Sequence, residues 1–143
     1  VAAIEAYVPS NNRSQMTKTE RNTLIVDAYN ANPTSMAAAL ENFSNVSADV
    51  KVALLGDMLE LGDESLAEHI AIIRSAAARG FAKVCFVGKE FMTASAEATF
   101  ESALFFETSD ALAQWLHDNP LSGATALIKG SRGTRMEKII SEL

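Results

Sequence analysis

The sequence predicts an α/β protein: a Rossmann-like, doubly wound and mostly parallel sheet of about six strands, with one antiparallel edge strand and helices on both faces. Three observations lead there. Short, nearly uniform apolar runs recur along the chain. Most are followed by a segment with apolar residues at helical spacing, and strands apolar on both sides need cover on both faces. The first run is preceded by another short strand candidate across a tight turn, and only an antiparallel pair can be joined so briefly.

In chain order, Val1–Tyr7 reads as a helical tail that stops before Pro9. Ser10-Asn11-Asn12-Arg13 is a polar connector. Ser14–Thr19 and Thr23–Asp27 form the antiparallel pair, turned by Glu20-Arg21-Asn22. Pro33 opens a helix striped by Met36, Leu40 and Phe43, with Asn32 as its cap. Val50–Leu55 is an apolar strand broken only by Lys51. Leu66, Ile70, Ile73 and Ala77 stripe a second helix, capped by Asp63 or Ser65 and stopped at Gly80. Lys83–Val87 is a strand, Phe91–Ala98 a weaker helical patch, and Ala103–Phe106 another strand. Ser109 caps a helix through Leu112, Trp115 and Leu116 that Asn119-Pro120 ends. Ala124–Ile128 is the last strand, and Met136, Ile139, Ile140 and Leu143 stripe a final helix.

At 143 residues the chain is expected to be one domain, with residues 1–12 the end of a preceding domain and a connector, and 13–143 the domain itself. A start at Val1 rather than Met, inside a helical pattern, points to a piece of a longer protein. A net charge of −6 argues against a nucleic-acid surface. The single cysteine, Cys85, lies mid-strand, reads as an inert buried thiol and suits a reducing cytosol. No apolar run approaches the ~18 residues that span a bilayer.

Ligands of such sheets bind at the carboxyl ends of the strands. Three of those ends are unusually polar: Asp27–Asn32, Gly56–Gly62 and Lys129–Gly133. Asp27 can accept hydrogen bonds from ribose hydroxyls, or cap a turn. Asn30 is a ligand contact, whereas Asn32 fits helix capping as well as ligand binding. Asp57 and Glu60 sit between two glycines, in a ligand loop or a plain connection. His69, in the next helix, reads as a half-buried surface histidine. Around Gly130 and Gly133, Lys129, Ser131 and Arg132 make an anion-binding loop, or a solvated basic turn. No Walker A loop occurs.

Taken in order, Asn12-Arg13-Ser14-Gln15, Asp27-Ala28-Tyr29-Asn30-Ala31-Asn32-Pro33-Thr34-Ser35-Met36, Gly56–Gly62 with His69, and Lys129–Gly133 resemble the C-terminal domain of the Mur ligases. The second motif resembles the branch that adds D-alanyl-D-alanine to UDP-N-acetylmuramoyl-tripeptide. The resemblance implies a cytoplasmic bacterial enzyme of peptidoglycan synthesis with ATP and Mg2+ held mainly by a central domain. Its partners would be its own N-terminal and central domains, with no nucleic acid and no membrane span. Arg13 would approach the ATP phosphates, Asp27 the ribose, and Asn30 and Asn32 the nucleotide cleft. Lys129, Ser131 and Arg132 would meet the incoming dipeptide, with Arg132 on its carboxylate. The chain alone would hold no complete catalytic set and no metal site. The connector 7–13 would be a hinge. Two other readings stay open: a Mur or folylpolyglutamate-type ligase domain of different specificity, and a non-catalytic Rossmann-like binding module.

Overall fold

Six strands build one sheet in the computed structural model, which describes residues 15–27 and 31–143. The strands are β1 (Gln15–Lys18), β2 (Thr23–Asp27), β3 (Lys51–Gly56), β4 (Lys83–Val87), β5 (Ala103–Phe106) and β6 (Thr125–Lys129). Their spatial order is β1-β2-β6-β3-β4-β5. Only β1 and β2 pair antiparallel; the other four neighbouring pairs are parallel. The last strand in sequence is therefore inserted between β2 and β3.

Four helices connect them: α1 (Pro33–Ser44), α2 (Ser65–Ala77), α3 (Lys89–Ala94) and α4 (Ser109–Asp118). Alternation along the strands divides the core in two. Ala53 and Leu55 of β3 pack with Met36 and Phe43 of α1, Ile73 of α2 and Phe91 of α3. Val52 and Leu54 face the other way, toward Leu112 and Leu116 of α4, Met136 and Ile139. The doubly wound sheet with one antiparallel edge strand agrees with the sequence reading.

Several local expectations are corrected. The final segment, Met136–Glu142, is a 3₁₀ helix rather than an α-helix. Its Met136 and Ile139 are buried, at the spacing of three that a 3₁₀ turn superposes. Helix α3 begins two residues earlier than expected and ends at Ala94. The side chain that caps α4 is Thr108, accepting from the Ala111 N–H, so Ser109 is the first helical residue. Neither Asp63 nor Ser65 caps α2; the 3₁₀ turn Gly62–Glu64 leads directly into it. The last strand starts at Thr125 and runs on through Lys129. Lys51 breaks its apolar strand for a reason: Nζ donates to the carbonyls of Ser44 at 2.8 Å and Val46 at 3.1 Å, supplying positive charge at the end of α1.

Phe86 of β4 is fully buried, stacked on Phe105 with ring centres 5.0 Å apart and tilted against Phe91 at 4.8 Å. Truncating a ring so enclosed leaves a cavity that close-packed neighbours fill only in part. Phe86→Ala is expected to lower the unfolding free energy by about 3–5 kcal/mol, read from urea denaturation.

Candidate functional site

Strand β3 runs into Gly56-Asp57, and β6 into Gly130-Ser131. These two loops touch through backbone. The Ser131 N–H donates to the Asp57 carbonyl at 3.1 Å. A Cβ on Gly130 would lie 3.0 Å from the Gly56 Cα and closer still to Thr134 and Met136. The chains pass this closely only because both residues lack side chains.

The Asp57 side chain turns toward the next strand end. Its carboxylate accepts the N–H groups of Glu90 at 2.9 Å and Phe91 at 3.0 Å, capping α3 from a different loop. Gly88, which precedes α3, has φ +122°, and a Cβ there would sit 2.2 Å from the Asp57 carboxyl carbon. Desolvation by burial raises the Asp57 pKa above its ordinary value of 3.8, against the lowering effect of the two N–H donors.

His69 completes this unit. It is fully buried, not half-buried as expected from the sequence. Nε2 lies 3.0 Å from the Met58 N–H, which can only donate, and Nδ1 lies 2.7 Å from the Ser65 carbonyl, which can only accept. The imidazole is therefore neutral with its proton on Nδ1, and its 3.9 Å approach to Asp57 is not an ion pair in that form. Phe91 meets the ring edge-on at 4.6 Å. The Ser65 hydroxyl donates to Glu90, so α2, the 57–61 loop and the start of α3 are cross-braced.

On the other side of β6, Asp27 and Lys129 end adjacent parallel strands in register. Lys129 Nζ donates to Asp27 Oδ2 at 2.7 Å, with the lysine side chain only 2% exposed. The second oxygen, Asp27 Oδ1, is buried without a hydrogen-bond partner, and so is Ser131 Oγ. Arg132 is exposed at the start of the 3₁₀ turn Arg132–Thr134. The structure thus joins Asp27 to Lys129. Asn32 is exposed, and its Oδ1 accepts the Ser35 N–H at 2.8 Å in a reciprocal capping box. Arg13 and Asn30, and the connector 7–13, lie outside the described residues.

A cleft of about 370 Å³ opens beside these loops, between the starts of α3 and α4 and the 133–135 turn. Lys89, Glu107, Asp110, Arg135 and Lys138 place charges of both signs around it. Arg135 reaches this wall from a left-handed backbone, φ +55°. Arg135 belongs to the basic run that begins at Lys129, but the other four do not stand out in sequence, because solvated charges at helix starts look alike wherever they occur. Cys85 takes no part, since burial pushes its thiol up to about 12.

Two outcomes follow from the Asp57 unit. Because the folded pKa of Asp57 lies above 3.8, its titration contributes stability that is fully present below the unfolded value and lost as pH rises through the folded one. The stability of the parent relative to Asp57→Asn should fall with rising pH across the carboxylate range, measured by denaturation at a series of pH values. Gly88→Ala combines strained φ with a collision and should cost about 1–3 kcal/mol or more in the same assay.

Comparison with known proteins agrees with this architecture. Residues 12–132 match the family described as Mur ligase, glutamate ligase domain. The UDP-N-acetylmuramoyl-tripeptide–D-alanyl-D-alanine ligase of Treponema pallidum is 37% identical over 121 residues, covering 82% of this chain and 26% of that protein. The crystal structure of MurF from Acinetobacter baumannii superposes with a TM-score of 0.80 at 30% identity, over 94% of this chain and 30% of that one. MurF from Thermotoga maritima, solved in complex with ADP, shares the fold at 20% identity with a TM-score of 0.75. The chain spans roughly a quarter to a third of its relatives' length, and over that span it belongs to the Mur ligase C-terminal domain family.

Proposed function

We propose that the chain is the C-terminal domain of an ATP-dependent, cytoplasmic bacterial ligase that joins D-alanyl-D-alanine to UDP-N-acetylmuramoyl-tripeptide. Residues 13–143 form this domain, and 1–12 connect it to the N-terminal and central domains. ATP phosphorylates the terminal carboxylate of the tripeptide, giving an acyl phosphate and ADP. The amine of the dipeptide attacks the acyl carbon, phosphate leaves, and an amide remains. This chain's part is to bring binding groups to both reactants as it closes on the central domain.

The observation that carries the reading is the orphaned acceptor at the end of β2. A buried carboxylate oxygen without a donor is costly unless a ligand supplies one, and a ribose hydroxyl is such a donor. Asp27 accordingly takes the ribose, with Arg13, Asn30 and Asn32 on the nucleotide side by resemblance. Asn32 would contribute through atoms its capping bond leaves available. Ser131 Oγ, also buried and unpartnered, and Arg132 take the dipeptide side. The neighbouring cleft, with cations and carboxylates on its walls, suits a zwitterion that carries one ammonium and one carboxylate. Among the described residues no group of three or more His, Cys, Asp or Glu could hold a metal ion, and no magnesium ligand is assigned to this chain.

Phosphate release by the full-length protein, measured with a panel of amino acids and dipeptides, tests the assignment. D-alanyl-D-alanine should give the greatest activity, and a better substrate of another kind overturns it. Asp27→Ala should chiefly weaken ATP use, whereas Arg132→Ala should chiefly raise the dipeptide KM. Each loses a contact worth roughly 1.5–3 kcal/mol, about ten-fold or more.

A further inference from the structure

We propose that Lys129 is a positioning residue for the nucleotide side of the site, acting through Asp27, and is not itself a contact for the incoming dipeptide. This deepens the reading above and rests on Asp27 as the ribose acceptor. Asp27 and Lys129 are the last residues of neighbouring parallel strands and face each other in register. The lysine stem is enclosed, with 2% of the side chain exposed, and its ammonium is 2.7 Å from Oδ2. An ammonium has three donors, but the enclosed stem keeps Nζ at the strand ends, on a carboxylate that is itself 13% exposed. Withdrawing it toward a ligand beyond the loop would leave an uncompensated buried charge, which opposes such a movement.

The pairing also makes the two carboxylate oxygens unequal. Oδ2 is fixed by the ammonium, while Oδ1 is buried and has no donor. Lys129 thereby sets the rotation of the Asp27 side chain and selects Oδ1 as the oxygen offered to a hydroxyl. Replacing Lys129 by methionine keeps most of the apolar stem but removes the ammonium, so the carboxylate loses what holds it in place. Ser131 and Arg132, two and three residues further on, remain on their own backbone, anchored by the Ser131 N–H to the Asp57 carbonyl. The damage should fall on one substrate.

The test uses the full-length protein and phosphate release, with ATP and D-alanyl-D-alanine varied in turn. Lys129→Met should raise the ATP KM about ten-fold or more. The dipeptide KM should stay within about two-fold. Lys129→Arg, which keeps the charge, should recover part of the ATP effect. Asp27→Asn combined with Lys129→Met should raise the ATP KM no more than the more damaging single change, because the proposed effect of the lysine on ATP runs through the carboxylate. A rise confined to the dipeptide KM, or an equal rise in both, overturns the proposal. If Asp27→Asn raises the ATP KM and Lys129→Met does not, the inference fails while the ribose reading stands. If Asp27→Asn leaves the ATP KM unchanged, the ribose reading itself fails. Should Lys129→Met not fold, the substrate on which Lys129→Arg acts decides the question in the same way.

Discussion

Asp57 is the constraint on which the carboxyl edge of the sheet depends. A short helix such as α3 has little intrinsic stability, and its first N–H groups need an acceptor. The acceptor comes from the neighbouring strand end, so α3 cannot move without the loop after β3. That loop is held in turn by the buried His69 and, through the Asp57 carbonyl, by the β6 loop. Three connections that would otherwise be independent surface turns become one rigid floor. Burial makes the carboxylate costly, which is why every group around it is so closely specified, including a glycine where any side chain would collide with it.

On the opposite side of β6, charge rather than backbone sets the geometry. The Asp27–Lys129 pair bridges two strand ends, and it leaves one oxygen unsatisfied beside a basic loop. The end of β6 and the loop that leaves it therefore carry two different supports, two residues apart. Lys129 serves the wall built on β2, and Ser131 joins the wall built on β3. A site made this way has its two sides fixed by independent interactions, yet attached to one strand.

Much of the architecture was legible because burial on both faces leaves a plain pattern: apolar runs, then stripes at helical spacing. The start of the first helix was legible, since Asn32 and Pro33 act locally. What could not be read depends on partners distant in sequence. His69 looks like any polar residue on a helix until Met58 folds over it. Asp57 looks like a ligand contact, and the N–H groups it accepts lie some thirty residues away, beyond α2 and β4. The last segment carried a helical stripe, but spacing of three and four does not separate a 3₁₀ from an α turn in so few residues. For the candidate site, residue types pointed to the ends of β2, β3 and β6, which the fold brings to one edge, while the pairing of Lys129 with Asp27 required knowing that β6 lies beside β2.

The position of β6 has a consequence for how the chain acquires its shape. Until that strand is in place, β2 and β3 have no common partner, and each exposes an unpaired edge toward a gap one strand wide. The pairing of β2 with β6 spans about a hundred residues of sequence, so this closure is a long-range event. The same event brings Lys129 to Asp27 and Ser131 to Asp57. The candidate site and the sheet are thus completed together, and a partly folded chain leaves its edges open to aggregation.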